Sequence, residues 1–571
     1  MKDRILDGFL AVLAAALLAS CGGGGGSLLV SVSISPTSAR VALGTTQQFT
    51  ANVVGATNSA VTWQVNGVAG GNDSVGTVSS AGLYTAPSAI PSPANVTVTA
   101  VSQAASAKSG SAAVTVVGFS DATLNGQYSF LLTGDDSFGD FLGVGSFTAD
   151  GRGKLSNGFE DLNSSTGYLE NMELSGSYTV GEDGRGTLSL KNSQGTQEFS
   201  LVVISSSRAR FAEFNASSNG EALLLKRDPT AFSAAAISGN YAFGLGGSDI
   251  GGAPASLAGV FNANGTGGLT GTEDANLAGT VTAGGSLSGT YTVDAKGRGT
   301  AAISDALGNV NFVFHVVNQD TLFFIETDYP FPAVDGTAKR QQQAMFSNSS
   351  LKGDYAFLFS GITPAAVPYI ATAGRFTSDG AAGTLNISSG ALDQNDSGTV
   401  SAGVSFTGSG SVSSNGRGTV TLTAGATPLA FYMVSASEAF VISEDPNAVA
   451  SGTMLAQAGG PFDSNPPSGS FAFLFYTSTS DTDQVGQMMI AGGRNGGNLT
   501  GTGDINEQGI LTSDAAFSGT YSVSSNGRAA ASVTSPLGSA NLAFYVVSGS
   551  RLFVVSDDAS EVTSGNFEKQ Y

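Results

Sequence analysis

The chain has 571 residues, a formal net charge of −21 and a single cysteine. That length exceeds what one hydrophobic core supports and predicts several domains, and the acidic balance excludes a nucleic-acid partner, which needs a basic footprint to release counterions. With 79 Gly, 34 Phe and 14 Tyr, the composition describes a folded, all-β chain of short strands and tight turns rather than a disordered one.

Met1 to Arg4 is a short polar head, and Phe9 to Ala19 is an apolar run too short to span a bilayer. It ends in Leu18-Ala19-Ser20-Cys21, which resembles a bacterial lipobox. The resemblance implies cleavage before Cys21 and lipidation of Cys21; Gly22, in place of an Asp, implies an outer-membrane address. Residues 1–20 then form a lipoprotein signal peptide and 21–27 the lipidated Cys with a Gly-rich tether. The membrane is the expected partner through that anchor, and the mature chain has no cysteine left for a disulfide.

Residues 28–118 alternate apolar and polar positions at Phe49, Ala51 and Val53, at Val61, Trp63 and Val65, and at Val96, Val98 and Ala100. This is the period of half-buried strands, and about seven of them predict a β-sandwich. Ile34-Ser-Pro-Thr-Ser38, Leu43-Gly-Thr-Thr-Gln-Gln-Phe49, Val61-Thr-Trp63 and Gly76-Thr-Val-Ser-Ser-Ala-Gly82-Leu-Tyr-Thr85 resemble bacterial Ig-like group 2 domains. The resemblance implies an immunoglobulin-like sandwich serving as a surface spacer or adhesive module. Trp63 reads as the core pin between its sheets.

The remainder is one module written four times, at 119–231, 232–346, 347–461 and 462–571. The copies open with Gly126-Gln-Tyr128, Gly239-Asn-Tyr241, Gly353-Asp-Tyr355 and Gly469-Ser-Phe471, a period of 113 to 116 residues. Solenoid repeats are far shorter, so each copy is large enough to be a domain. Turn residues in the first copy divide it into eight sequential strands, near 127–132, on either side of Asp150-Gly151, after Asp161-Leu-Asn163, at 176–180, 187–190, 198–204 and 209–214. An antiparallel eight-stranded meander closes as an up-and-down barrel, the preferred expectation, or as two propeller blades. An eight-bladed propeller would pack the last copy against the first.

Each copy carries an acidic residue followed 24 positions later by an arginine: Asp161 and Arg185, Asp274 and Arg298, Asp393 and Arg417, Asp504 and Arg528. With the strand count above, both fall in turns at one end of the barrel, so the two members of each pair are expected to be neighbours within their own module. They read as structural clamps that cap turns. A ligand pocket at that end, or a cation held by Asp-x-Asn, are the alternatives, although no copy carries a full acidic calcium loop. The loops between strands one and two share that end and differ among copies, as binding loops on a constant scaffold do.

Catalysis is poorly supplied. His315, the only histidine, occupies a strand position filled by Tyr432 and Tyr545 in later copies and reads as a packing residue. Glu326 and Asp328 read as a solvated strand end, like Glu444-Asp445 and Asp557-Asp558. No catalytic residue, metal site or cofactor is expected. The sequence therefore points to a lipid-anchored, non-enzymatic cell-envelope protein with a binding or adhesion role, whose partner would be a glycan, a protein or a small apolar ligand. A purely structural spacer and, behind it, a carbohydrate-active protein are the alternatives. A filled barrel interior would favour the structural reading.

Overall fold

The computed structural model describes residues 29–571 except 88–89, 137, 250, 329–332, 364–368 and 424–427. The expected signal peptide, Cys21 and the expected Gly-rich tether lie outside the described residues. The chain divides into two compact units, of which the second contains the whole span Thr115–Tyr571.

The N-terminal region is all β, with eleven short strands among the described residues between Ser31 and Val117 rather than about seven. They form a five-stranded, a four-stranded and a two-stranded sheet. Val61–Val65 pairs with Asn95–Ser102, placing Trp63 opposite Ala100. Trp63 is buried, and its ring explains the glycine of Ser-Ala-Gly82. A Cβ on Gly82, at φ +83°, would stand 2.6 Å from the indole and 2.4 Å from the Phe49 carbonyl. The core role expected of Trp63 is what its burial shows.

Each of the four copies is a closed, eight-stranded antiparallel barrel. In the first, the strands are Asn125–Asp136, Gly139–Asp150, Lys154–Ser164, Gly167–Val180, Arg185–Lys191, Thr196–Ser205, Arg208–Glu213 and Ser218–Lys226. Strand one pairs with both strand two and strand eight, which closes the sheet and leaves no edge. The sequence count of eight is met, but through two compensating errors. Residues 167–180 form one long strand where the turn residues suggested two, and the true eighth strand, Ser218–Lys226, lies beyond the last one counted.

That correction reverses the expected turn parity. Asp161 lies in strand three, near the turn to strand four, whereas Arg185 opens strand five after the turn at the other end. Asp and Arg of one module are therefore not neighbours.

The barrels are plugged rather than hollow. Inward side chains such as Tyr128, Phe130, Phe199 and Phe211 fill the first, and equivalent apolar sets fill the others. A short turn ahead of strand one seals one end. Tyr178 Oη donates to the carbonyls of Asp121 and Leu124 in that turn, and Tyr291 does the same to Ala234 and Ile237.

The four barrels form a closed ring. Strands one and two of each barrel pack on strands six to eight of the next, and strands one and two of the fourth barrel pack on strands six to eight of the first. Each joint has its own apolar cluster. Leu142 and Val144 meet Val313 and Phe323 at the first joint, and Ala258 and Val260 meet Tyr432 and Phe440 at the second. Ala371 and Ala373 meet Tyr545 and Phe553 at the third, and Val202 and Ile204 meet Leu474 and Val485 at the closing joint. Such head-to-tail contacts close when the rotation per unit divides a circle. The packing of last copy on first, expected of a propeller, thus occurs in a ring of barrels.

Candidate functional site: the joints and axis of the ring

Asp161 and Asn163 lie two apart on one strand, so both side chains project from the barrel's outer face toward the neighbouring barrel. In every copy the aspartate sits at an irregularity of the strand three to four ladder, at Glu160/Leu162, Glu273/Ala275, Leu392/Gln394 and Gly503/Ile505. The extra residue belongs to strand four. There a residue with positive φ, Asn171, Gly284, Gly403 or Asp514, turns its N–H out of the ladder and into the aspartate, at 2.5 to 3.0 Å. A bulge of this kind re-aims a side chain, and here it fixes a carboxylate toward the next barrel.

The arginine that meets it comes from that next barrel. Arg298 Nε and Nη2 donate to Asp161 at 2.9 and 2.7 Å, and Arg417 to Asp274 at 2.7 and 3.0 Å. Arg528 donates to Asp393 at 2.7 and 2.5 Å. These are two-pronged, charge-assisted pairs, and all three carboxylates are fully buried. Tyr432 Oη also donates to Asp274, and Tyr545 Oη to Asp393. His315 takes this position in the second barrel, with Nε2 3.5 Å from Asp161 Oδ2. Burial, against the pull of Asp161, holds the His315 pKa below its ordinary value. Burial alone would raise the Asp161 carboxyl; Arg298, His315 and Tyr168 outweigh it and hold the group well below the usual carboxylate range.

The closing joint differs. Arg185 Nη1 is 3.9 Å from Asp504 and instead donates to Asp183 and Asp514. The tyrosine position is Val202, opposite Arg185 in the ladder, and offers no hydroxyl.

The Asn of Asp-x-Asn holds the same neighbour by its backbone. Asn276 Nδ2 donates to the carbonyls of Ser443, Asp445 and Ala448, Asn395 to those of Ser556, Asp558 and Glu561, and Asn506 to those of Glu213, Asn215 and Ser218. Asn163 donates to Glu326. The eight pair residues thus act between modules, and the carbonyls a cation would require are occupied by amide protons.

A further fourfold set went unread in the sequence. The residue after strand eight reaches the next barrel and donates to two carbonyls, one in its Gly-Arg turn and one in its strand six. Arg227 reaches Lys296 and Val316, Gln341 reaches Asn415 and Met433, and Gln457 reaches Asn526 and Val546. Gln570, after strand eight of the fourth barrel, makes the same two bonds to Asp183 and Val203 of the first barrel at 2.9 and 2.8 Å. The following N–H groups repeat as well: Asp228 to Val317, Gln342 to Val434, Ala458 to Val547 and Tyr571 to Ile204. The recurrence of Gln341, Gln457 and Gln570 at module period was the available signal.

Inside the first two barrels stand carboxyls that later copies lack. Glu160 and Glu273, beside the latch aspartates, correspond to Leu392 and Gly503. Glu326 is fully buried rather than a solvated strand end. Burial pushes Glu160 up to about 7, Glu273 up to about 8 and Glu326 up to about 9, so Glu273 and Glu326 are largely protonated near neutral pH and Glu160 is partly so. The void beside Glu273 is about 30 Å³, room for a water or two and not for a sugar or other organic ligand.

Strands eight and one of each barrel lie between its two joints and therefore face the ring axis, while strands four and five face outward. Several acids gather there, including Asp135 and Asp140 in the first barrel's strand one to two hairpin, Glu221, Asp335, Asp481 and Asp483. Tyr369 of the third barrel lies in the field of Asp481, Asp135 and Asp140, which places hairpins from across the ring together. A cavity of about 530 Å³ opens beside Asp140, Ser248, Ser360 and Ser451. Among the described residues no three acid, histidine or cysteine side chains are gathered as a metal-ligand set.

No known family matches the chain, and no curated protein matches it.

Proposed function

We propose that the protein is a non-enzymatic, structural component of a bacterial cell envelope, a rigid ring of barrels carried on an Ig-like spacer and a lipid anchor at Cys21. The observation that carries this reading is the use of the repeated polar residues. All four Asp/Arg pairs and the Asn beside them contribute to joints, and the barrel interiors are filled with apolar side chains, so neither is left for a substrate. The lipobox and the resemblance to bacterial Ig-like group 2 domains support the address and the spacer. In a strain lacking the protein, resistance to detergent and osmotic stress should fall while adhesion to cells and glycan-coated surfaces stays unchanged. Unchanged resistance with altered adhesion would replace this reading by the binding one. Substituting Cys21→Ser should move the protein from the membrane to the soluble fraction.

One observation favours a binding role as a second reading. An open groove of about 1350 Å³ between the first and second barrels is lined by Lys154, Lys191 and Lys296 together with Glu170 and Glu173 in an otherwise acidic molecule, with Lys296 Nζ 3.8 Å from the Phe159 ring centroid. Such a groove suits an acidic glycan or another anionic partner. Saturable binding of an acidic oligosaccharide by the purified protein would support it.

A further inference from the structure

The residue that opens strand seven differs among the copies: Arg208, Thr321, Glu438 and Arg551. It stands apart from the joint residues, which recur. In the first barrel Ala209 and Phe211 point into the core, and in the fourth Leu552 and Val554 do. Alternation therefore sends Arg208, Arg210 and Arg551 out of their barrels, and the two barrels that carry them meet at the closing joint.

Glu568 gathers the three. It stands directly opposite Arg551 in the strand seven to eight ladder of the fourth barrel, where paired side chains share a face with about 5 Å between Cβ atoms. Its oxygens are nevertheless taken from across the seam. Arg208 Nε and Nη2 donate to both of them, the second at 3.0 Å, and Arg210 Nε donates to Oε1 at 3.0 Å. Three guanidinium groups thus surround one carboxylate. Glu438, at the same position in the third barrel, is paired with Lys339 of the second, and Glu221, which lies in the field of Arg210, has its carboxyl raised by burial.

Arg551 is the member left over. Its Nε is buried with no acceptor, its guanidinium makes no hydrogen bond among the described residues, and its central carbon lies 5.7 Å from the Phe553 ring centroid. A buried N–H without a partner is unfavourable, and so is a cation held beside two others. Burial holds the Arg551 pKa below its ordinary value against the pull of Glu568, and the fields of Arg208 and Arg210 deepen the depression. A bound anion would relieve both defects. Arg208 keeps 24% of its side chain in solvent, so ions from solution can reach the cluster.

We propose that Arg551 of the fourth barrel and Arg208 of the first form a site for a small oxyanion, phosphate or sulfate, which bridges the closing joint beside Glu568. The planar fork of an arginine matches an oxyanion with parallel N–H bonds, and the Nη1 end of Arg208 is not used by Glu568. Such an ion would tie the joint that has neither a linker nor a tight Asp/Arg latch. The inference does not rest on the proposed envelope role, since it is read on the purified chain.

The full chain is titrated calorimetrically with inorganic phosphate at pH 7.5 and constant ionic strength, alongside Arg551→Gln, Arg551→Lys and Lys296→Gln, the last in the groove between the first and second barrels. The native chain should bind saturably and release phosphate to sulfate. Affinity should fall about tenfold or more in Arg551→Gln, as the loss of a charge-assisted bond predicts, fall less in Arg551→Lys and stay unchanged in Lys296→Gln. Arg551→Gln breaks no hydrogen bond, so without phosphate it should melt no lower than the native chain, and with phosphate it should miss the native rise. If it fails to fold, the native chain and Arg551→Lys carry the test. No saturable heat from the native chain would overturn the proposal, as would equal affinity in the native chain and the Arg551 variants. Loss of binding in Lys296→Gln alone would also overturn it, placing the anion in the groove.

Discussion

At the scale of single residues, the three tight latches and the loose one make an internal comparison. Asp393 is fully buried and takes two bonds from Arg528 and one from Tyr545. Removing one member of a buried pair strands the other, at about 3–5 kcal/mol. Arg528 keeps roughly a quarter of its side chain in solvent, so Asp393→Ala should cost less, about 2–4 kcal/mol. Asp504, partly exposed and 3.9 Å from Arg185, behaves as a surface ion pair, and Asp504→Ala should cost about 0–1 kcal/mol for the pair. Urea denaturation of the two variants against the native chain reads the contrast; equal losses would mean that the latches contribute nothing beyond their bulges.

Titration at the same residues gives the pH dependence its sign. Glu160, Glu273 and Asp335 have folded pKa values raised to about 7, 8 and 7 by burial, above unfolded values near 4. The folded chain binds the extra protons, so this contribution is fully present below about pH 4 and is lost as pH rises through 7 to 8. Asp161 and Glu568 act oppositely. For both, burial raises the carboxyl, but arginine partners outweigh it and hold the folded pKa well below the usual range. Their contribution is present above pH 4 and fades as pH falls below it. The melting temperature should therefore rise from pH 8 to about pH 5 and fall below pH 4. A Glu273→Gln variant should flatten the upper slope.

At the scale of elements, the Gly-Arg turn is the part most tightly specified. Gly416 has φ +90°, and a Cβ there would stand 2.7 Å from Gln341 Nε2 and 3.1 Å from the Phe346 ring. Left-handed backbone costs a non-glycine residue about 1–2 kcal/mol, so Gly416→Ala should destabilise the joint between the second and third barrels by at least that amount, measured by thermal unfolding. The sequence made this turn visible and made its partner invisible. Gly-Arg announces a turn through backbone chemistry that acts within a few residues, whereas Gln341 sits 75 positions before Gly416 and is polar in a way that any surface residue can be. The strand count failed at the same level. Gly176 lies inside the long fourth strand although glycine usually punctuates one, and Ser218–Lys226 follows an Asn/Ser-rich stretch past the last strand counted. The all-β class and four barrel-sized repeats were legible because apolar alternation and repetition survive such errors. The Asp/Arg pairs were legible as a set but not as joints, since a one-turn error in parity moves a residue to the other end of a barrel.

At the scale of the whole molecule, the ring itself had a signal that went unused. Strands facing solvent alternate, but strand six reads Phe199-Ser-Leu-Val-Val-Ile204, Phe312-Val-Phe-His-Val-Val317 and Leu542-Ala-Phe-Tyr-Val-Val547, apolar in both parities. Strands buried on both faces look like this, one face meeting the barrel core and the other the next barrel. If the joints hold the ring, continuity of the chain at any one linker is dispensable, because the closing joint already lacks a linker and Gln570 with Tyr571 makes the bonds a linker makes elsewhere. Met345 is 73% exposed in the linker between the second and third barrels. A protease site inserted there and cleaved should leave two fragments that elute together at the size of the intact chain and separate only in denaturant. Adding Gln457→Ala and Asp393→Ala, which weaken the joint between the third and fourth barrels, should not release the fragments, since each remains joined to the other across both the cut joint and the closing one. Adding Asp274→Ala and Gln341→Ala, at the cut joint, should leave the closing joint to hold them alone and lower the denaturant concentration at which they part. Fragments that separate after cleavage alone, without denaturant, would show that the linker rather than the interface closes the ring.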